Sequence, residues 1–383
     1  MVKFRLKIPT EIRFGSGEIA SLSELVPAGT RVLLLYGGGS IKKNGVYDQV
    51  MAALKDCDVE PFGGVEVNPV YETILQAAQA ARRHKSELVL GVGGGSVIDA
   101  AKFLANVIPI EAGDPWDELM AGRFPAKPLP VGAVLTLPAT ASESNAVSVM
   151  THRGRKLKYP FANEATRPRF AILDPSTMMS LSRRQLENGV VDAFTHALEQ
   201  YMTRPVNAPI QHGFSETIMK VLAEWGPKLV ETKSEEACEN VMWAANQALN
   251  GLIGAGVPQD WSTHYIGHAI TALYDVDHAR TLTMIMPALM RYKLEQKTTM
   301  LARYARNVWG VNEADDGKAA EAGIVRTEAF FRRMGCPVCA SDADLTIDEK
   351  GILAHLEDAS QTALGENRDI RADDVRAILR MSA

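Results

Sequence analysis

Four short apolar runs in the first half of the chain constrain the fold most strongly. Each is rich in Val, Ile and Leu, and stretches between them, such as residues 46–54 and 73–84, repeat apolar residues at helical spacing. Strands that are buried on both faces of a sheet have continuous apolar sequences of this kind. The pattern predicts a parallel sheet with crossover helices. The predicted strands are residues 31–36, 88–92, 131–137 and 170–173.

The second half of the chain has a different pattern. From about Leu181 onward the strand signals stop, and apolar residues recur at three and four positions with Gly or Pro between the segments. We therefore predict an α/β domain of residues 1–178, joined near Asp174-Pro175 to an all-helical domain of residues 179–383. The clearest helical segments are residues 184–202, 213–230, 240–253 and 318–334.

Composition and charge exclude several classes of protein. Hydrophobic residues make up 46% of the chain, and a net charge of −5 without a basic cluster argues against a nucleic-acid partner. The apolar runs fall far short of the roughly 20 residues that cross a bilayer. The charged N-terminus contains no apolar segment of a secretory signal, and there are only four cysteines. These features predict a cytoplasmic protein without a membrane partner.

Two glycine clusters predict a dinucleotide site. Residues 37–40 and 93–96 both read Gly-Gly-Gly-Ser and both follow a predicted strand. The second cluster also opens a helix, whose first N–H groups suit a pyrophosphate. Neighbouring strand ends in a doubly wound sheet share one crevice, so the two turns can bracket one cofactor. Ser96 occupies the third glycine position of the Rossmann fingerprint, so that motif is not matched.

The residues around these clusters favour NADP(H) over NAD(H). No carboxylate that could bind a ribose 2′-hydroxyl stands at the end of the first strand, and Lys42 and Lys43 lie nearby. The alternative is that both lysines are ordinary solvated residues. Further hydroxyl groups for the same crevice come from Thr136, Thr140 and Ser142.

The helical half contains a set of residues with metal-ligand spacing. Asp192 and His196 are four residues apart, as are His264 and His268, so each pair shares one face of a predicted helix. His278 follows shortly after. Imidazole nitrogen and carboxylate oxygen suit Zn²⁺ or Fe²⁺, and a catalytic site keeps one position open. These are five candidate residues for about four metal-coordination positions, which leaves one residue for proton transfer. The alternative is a set of unconnected helix histidines.

Two other motifs point away from familiar metal and redox sites. Tyr265 occupies the position of the general-base Glu in the zincin motif H-E-x-x-H, so a metalloprotease is disfavoured. Cys336-Pro-Val-Cys339 has no second C-x-x-C to complete a zinc site. We expect an incidental loop pair there and assign it no role.

Together these motifs resemble the iron-containing, or group III, alcohol dehydrogenase family, in particular its NADPH-dependent aldehyde reductase and butanol dehydrogenase branch. The resemblance covers nearly the whole chain. It implies a Rossmann-like dinucleotide-binding α/β domain followed by an all-α metal-binding domain, as in dehydroquinate synthase. Besides the glycine clusters, the matching segments are Thr10-Glu-Ile-Arg-Phe-Gly-Ser-Gly17, Leu135-Thr-Leu-Pro-Ala-Thr140, Gly189-Val-Val-Asp-Ala-Phe-Thr-His196, Gly254-Ala-Gly-Val-Pro-Gln-Asp-Trp261 and Leu364-Gly-Glu-Asn367.

The resemblance implies a role for each candidate residue. One Fe²⁺ or Zn²⁺ ion is expected on Asp192, His196, His264 and His278. His268 is expected beside the metal without binding it, as the catalytic residue that relays a proton, with water as the alternative proton source. The implied NADP(H)-binding residues are Gly37, Gly38, Gly39 and Ser40 near the adenosine ribose and its 2′-phosphate, Gly94, Gly95 and Ser96 at the pyrophosphate, Asp99 near the nicotinamide ribose, and Thr136, Thr140, Lys158 and Leu181 along the rest of the cofactor.

The expected activity is hydride transfer between NADP(H) and a small aldehyde or primary alcohol in the interdomain cleft, by a homodimer. Aldehyde reduction is the expected physiological direction.

Two alternative functions stay open. One is an enzyme of the same fold that acts on a polyol or sugar phosphate, as glycerol dehydrogenase or dehydroquinate synthase does. A sugar phosphate needs several cationic residues, and only Arg280 stands near the His264 region. The other is a non-catalytic dinucleotide sensor.

Overall fold

The computed structural model describes all 383 residues, which form two compact units. One unit comprises residues 8–181, and the other comprises residues 182–383 together with Met1–Lys7. The predicted division at residues 178 and 179 differs from this one chiefly at the N-terminus. There Val2 N donates to Gly256 O over 2.8 Å, so the first residues lie on the helical unit. None of the helices combines the length and apolar character that a membrane span requires.

The first unit contains all eight strands and six helices. The strands are β1 (Glu11–Phe14), β2 (Arg31–Tyr36), β3 (Asp58–Phe62), β4 (Leu88–Gly94), β5 (Val131–Leu137), β6 (Val147–His152), β7 (Leu157–Ala162) and β8 (Phe170–Leu173). The helices are α1 (Leu22–Leu25), α2 (Ser40–Lys43), α3 (Val46–Ala53), α4 (Tyr71–His84), α5 (Gly95–Val107) and α6 (Pro115–Met120). Short 3-10 helices cover Glu18–Ser21, Ser142–Ser144, Glu164–Thr166 and Pro175–Ser180.

Six strands form one parallel sheet in the order β1-β8-β5-β4-β2-β3, which confirms the predicted α/β class. All four predicted strands are present. From β2 the chain runs outward to β3, whereas from β4 it runs the other way through β5, so the topological switch lies between β2 and β4. Tyr36 of β2 pairs with Val92 of β4. The two glycine clusters therefore follow adjacent strands at this switch, which is where doubly wound sheets bind ligands.

β1, β3 and the antiparallel hairpin formed by β6 and β7 are not predicted from the sequence patterns. β3 is an edge strand that contains Glu60 and Pro61, and it is largely exposed. Edge positions tolerate Pro and charged residues because one side of the strand is not hydrogen-bonded. β3 therefore lacks the continuous apolar run that identifies a central strand.

The second unit contains helices and no strand, which confirms the predicted all-α class. All four predicted helical segments are present, as helices at Arg183–Tyr201, Pro209–Thr232, Glu235–Ala248 and Asp316–Arg333. A short 3-10 helix covers Ser341–Ala343. The α-helices are α7 (Arg183–Tyr201), α8 (Pro209–Thr232), α9 (Glu235–Ala248), α10 (Ser262–Tyr274), α11 (His278–Tyr292), α12 (Leu294–Trp309), α13 (Asp316–Arg333), α14 (Glu349–Asp358) and α15 (Ala372–Met381).

Two local features position the helices that carry the candidate metal ligands. α7 begins with a capping box, in which Gln185 N donates to Ser182 Oγ and Ser182 N donates to Gln185 Oε1. α10 and α11 pack together with α14 and α15 around a buried apolar cluster that includes Ile266, Ile270 and Ile285. The apolar face of α10 is thereby fixed in the core, which orients the histidines of the same helix.

Candidate metal and cofactor sites

One face of α7 carries three buried side chains that can bind metals or protons. Asp192, His196 and Glu199 stand at positions i, i+4 and i+7, and all three are buried. Asp192 Oδ2 lies 3.5 Å from His196 Nδ1. The predicted pairing of Asp192 with His196 on one helix face is thus present.

Histidines of α10 and α11 meet this face. His264 Nε2 lies 2.9 Å from His196 Nε2, and one ligand atom each of Asp192, His196 and His264 lies within 4.8 Å of the others. His278 is the first residue of α11, and its Nε2 atom is 3.9 Å from Asp192 Oδ1. The His268 ring lies 5.0 Å from the His278 ring and 6.2 Å from the His264 ring, measured between centroids. The structure therefore brings all five candidates together.

The chemistry of this donor set fits a divalent transition metal. It offers one carboxylate and three imidazoles, the ligand types that suit Zn²⁺ and Fe²⁺. Burial lowers the pKa of His196 to about 4, and the neighbouring His264 adds to this shift. His196 is therefore neutral at physiological pH, and a neutral imidazole is the form that binds a metal ion.

Glu199 is a functional candidate that the sequence analysis missed. Its Oε1 atom accepts a hydrogen bond from Thr263 N over 2.7 Å, and its Oε2 atom is hydrogen-bonded to His264 Nδ1. Burial and the nearby Asp260 carboxylate raise the pKa of Glu199. The sequence does carry a signal for it, since Glu199 follows His196 by three residues and so continues the same helix face.

A buried ion pair supports the start of α10. Asp260 Oδ1 accepts from Ser262 N over 2.8 Å, and Asp260 Oδ2 lies 2.5 Å from Lys297 Nζ. Lys297 Nζ also donates to Glu366 Oε2 and to Met202 O, over 3.1 and 2.8 Å. Burial alone would lower the pKa of Lys297, but the Asp260 and Glu366 carboxylates raise it above its ordinary value. The ammonium group is therefore charged and holds both carboxylates.

The first glycine turn leads directly into α2. Gly39 has φ 93°, a left-handed conformation that favours glycine, and Ser40 begins the helix. The Lys42 ammonium lies over the Tyr36 and Tyr47 rings, 5.0 and 4.8 Å from their centroids. Lys42 is therefore held beside the turn by its own aromatic neighbours.

The turns after β2, β4 and β5 lie against one another. A Cβ atom at Gly37 would be 3.6 Å from Val97 in the first turn of α5. A Cβ atom at Gly95 would be only 2.4 Å from Thr140 Oγ1, so this close approach requires glycine. The predicted residues at these three turns are Gly37, Gly38, Gly39, Ser40, Gly94, Gly95, Ser96 and Thr140, and Thr136 lies in β5 just before the last turn.

Besides its predicted position near the nicotinamide ribose, Asp99 forms hydrogen bonds that link parts of the first unit. Its Oδ1 atom accepts from Ser142 Oγ over 2.5 Å, and its Oδ2 atom accepts from Val149 N over 2.9 Å. The buried Lys102 ammonium lies 3.3 Å from Oδ1. Asp99 thus ties α5 to the turn after β5 and to β6.

Besides Asp99, two further predicted cofactor residues lie outside the three turns. Lys158 is on β7, and its Nζ atom donates to Asn68 Oδ1 over 2.9 Å. Leu181 follows the 3-10 helix that ends at Ser180. Asn44 Nδ2, just after α2, donates to Ser180 Oγ over 2.9 Å, which brings the Leu181 region next to the end of α2.

The Cys336/Cys339 pair has local partners of its own. Both thiols are free; Cys336 Sγ donates to Met334 O, and Cys339 Sγ lies 3.1 Å from Ser341 Oγ. Burial raises the pKa of Cys336 to about 12. Very little thiolate exists at neutral pH, which disfavours this thiol as a nucleophile or metal ligand.

The whole chain matches known proteins. The family model described as iron-containing alcohol dehydrogenase matches residues 9–175, and the model for the C-terminal part of the Fe-containing alcohol dehydrogenase family matches residues 187–383. The chain is 48% identical over 382 residues to the NADPH-dependent aldehyde reductase YqhD of Escherichia coli (strain K12), with 99% of each chain covered. The chain belongs to the iron-containing alcohol dehydrogenase family.

Solved structures of this family superpose closely on the chain. The crystal structure of E. coli K-12 YqhD has a TM-score of 0.98 at 46% identity and covers 100% of this chain and 99% of its own. The NADH-dependent butanol dehydrogenase A of Thermotoga maritima has a TM-score of 0.95 at 34% identity, with the same coverage. These matches confirm the aldehyde reductase and butanol dehydrogenase branch. This family member is therefore an oxidoreductase of the alcohol dehydrogenase type.

Replacing Lys297 with Met tests the support of α10. The change leaves the Asp260 and Glu366 carboxylates buried without their cation, so the free energy of unfolding should fall by about 3–5 kcal/mol. Lys228→Met is the control, because Lys228 forms an exposed pair with Glu224 on α8 and its loss should cost about 0.5 kcal/mol or less. Denaturant unfolding measures both variants. Equal losses would contradict a special role for Lys297.

Proposed function

We propose that the protein is a metal-dependent, NADP(H)-linked alcohol dehydrogenase whose main direction is the reduction of small aldehydes to primary alcohols. The observation that carries the proposal is the buried convergence of Asp192, His196 and His264, with His278 beside them. The likeness to an NADPH-dependent aldehyde reductase over 99% of the chain supports the direction and the substrate class.

In this proposal Asp192, His196, His264 and His278 hold one Fe²⁺ or Zn²⁺ ion. When bound, the ion supplies Lewis-acid polarisation of the substrate oxygen, and the nicotinamide supplies the hydride. Reduction of an aldehyde also consumes one proton. His268 is buried beside the His278 ring, and we assign it the delivery of that proton to the substrate oxygen, with its own proton regained from solvent.

NADP(H) binds, in this proposal, along the three turns at the carboxyl ends of β2, β4 and β5. Ser40 and the glycines before it meet the ribose 2′-phosphate, and the N-terminus of α5 at Gly95 and Ser96 meets the pyrophosphate. Lys42 and Lys43 supply positive charge near the 2′-phosphate, and no carboxylate occupies this turn. Asp99, Thr136, Thr140, Lys158 and Leu181 contact the rest of the cofactor.

The alternative substrate, a sugar phosphate, would need an open set of cations. Three arginines, Arg184, Arg280 and Arg332, do line a cavity of about 580 Å³ at the start of α11. However, Arg184 is paired with Asp277 over 2.6 Å, and Arg280 lies 3.4 Å from Glu187. These carboxylates pair two of the three arginines, and the acidic Asp275 and Asp342 also line the cavity, which disfavours a phosphate substrate. A non-catalytic sensor would have no use for the buried metal-type donor set.

The oligomeric state and the location stay predictions. We propose a homodimer in the cytoplasm, and four free thiols suit a reducing compartment. Small aldehydes and alcohols are the proposed substrates.

Two histidine variants test the division between metal ligand and proton relay. Metal-loaded wild-type enzyme should oxidise NADPH faster with butanal than without it. His264→Ala should lose both bound metal and this activity, because one ligand is removed, while NADPH binding stays. His268→Ala should keep the metal and lose turnover by about 10²–10⁴-fold. The measurements are metal per chain, NADPH fluorescence titration and butanal-dependent NADPH oxidation. Metal loss in His268→Ala would show that the assignment is wrong.

A substitution at Ser40 tests the cofactor preference. Ser40→Asp places a carboxylate where the 2′-phosphate is proposed to bind, so kcat/KM for NADPH should fall by at least about tenfold relative to NADH, a change of about 1.4 kcal/mol. Ser40→Asn is the matched control, because Asn has the size of Asp without its charge, so this variant should keep the preference for NADPH. Steady-state kinetics with NADPH and with NADH measure this ratio of kcat/KM values. An unchanged preference in Ser40→Asp would place the 2′-phosphate elsewhere.

A further inference from the structure

Glu199 is the point at which α7 and α10 are joined beside the candidate metal ligands. The carboxylate is 2% exposed, and each of its oxygens has a partner on α10: Thr263 N for Oε1 and His264 Nδ1 for Oε2. The neighbouring backbone is also linked, because Asp260 N donates to Glu199 O over 3.3 Å. Asp260 in turn holds Ser262 N in the first turn of α10. Glu199 therefore faces His264 in a fixed orientation.

The two ring nitrogens of His264 point to different surroundings. Nδ1 faces Glu199, whereas Nε2 lies 2.9 Å from His196 Nε2 among the candidate ligands. A neutral imidazole carries its proton on one nitrogen only, and the hydrogen bond made by that nitrogen determines which one. If Nδ1 donates to Glu199, then Nε2 has a lone pair that is directed toward Asp192 and His196.

We propose that Glu199 is a positioning residue that selects the Nδ1–H tautomer of His264 and thereby presents its Nε2 lone pair to the metal ion. The inference rests on the proposed metal site and adds a residue to it. A carboxylate that accepts from the outer nitrogen of a metal-binding histidine fixes the ring and strengthens the ligand, and its loss typically weakens metal binding by about 10–100-fold.

Glu199→Gln tests this role with almost no change in volume. A backbone N–H can only donate, so Thr263 N must face the amide oxygen of the new side chain. The amide NH₂ group then faces His264 Nδ1, which has to accept. The proton moves to Nε2, which cannot bind a metal ion in that form. Zn²⁺ affinity, measured by competition with a chelator, should fall by about 10–100-fold.

Glu216→Gln is the matched control. Glu216 is also buried, on α8, and accepts from Tyr201 Oη and Arg303 Nε, both over 2.7 Å. The Glu216→Gln substitution removes a buried carboxylate that makes no contact with His264. Zn²⁺ affinity should therefore stay within about twofold of the wild type, well below the 10–100-fold effect expected at Glu199. An unchanged affinity in Glu199→Gln, or an equal loss in Glu216→Gln, would overturn the proposal.

A spectroscopic readout separates tautomer selection from general damage. Full-length protein labelled with ¹⁵N-histidine should show His264 with Nδ1 protonated in the wild type and Nε2 protonated in metal-free Glu199→Gln. A wild-type His264 protonated at Nε2 overturns the proposal even if the variant does not fold. Failure of the wild type to bind Zn²⁺ or Fe²⁺ would instead contradict the proposed function. The two failures are therefore distinguishable.

Discussion

The register between α7 and α10 depends on two carboxylates that are buried where the helices meet. Glu199 accepts a hydrogen bond from Thr263 N and is also hydrogen-bonded to His264 Nδ1. Asp260 accepts a hydrogen bond from Ser262 N in the first turn of α10. Buried charge is costly unless it is hydrogen-bonded or paired. Here Lys297 balances Asp260 at Oδ2. Backbone N–H groups of Ser262 and Thr263 satisfy Asp260 Oδ1 and Glu199 Oε1, and His264 Nδ1 is the partner of Glu199 Oε2. This arrangement leaves little freedom to the helix pair, so His264 Nε2 meets His196 Nε2 in one position.

A comparable constraint shapes the cofactor end of the first unit. The sheet changes direction between β2 and β4, and glycine clusters follow both strands. Absence of a side chain at Gly95 lets the turn after β5 come close, since Thr140 fills the space that a Cβ atom would need. The first N–H groups of α5 have no acceptor within the helix, and α5 begins directly after β4, next to the strand that leads to the turn at Ser40. One unit thus presents groups that suit phosphates, and the other presents groups that suit a divalent cation.

Much of the fold and part of the candidate site could be predicted from local sequence patterns. Strands, helices and residue pairs four positions apart are encoded in short stretches of sequence. The central strands, the long helices and the grouping of Asp192 with His196 are of this kind. Interactions between distant segments are not encoded in such stretches. Lys297 follows Asp260 by 37 residues, and no periodicity links them. β3 escaped prediction because it is an exposed edge strand. Glu199 escaped it because a glutamate on a helix is ordinary until its partner on α10 is known.

The proposed mechanism depends on one catalytic metal ion that is bound by Asp192, His196, His264 and His278. Anomalous diffraction from crystals of the metal-loaded protein, recorded at the iron and zinc absorption edges, would locate such an ion. We expect one strong peak within about 2.0–2.2 Å of the Asp192 carboxylate and of one imidazole nitrogen each of His196, His264 and His278. A metal-replete crystal with no peak among these residues, or with its strongest peak elsewhere, would show that they do not form the catalytic metal site.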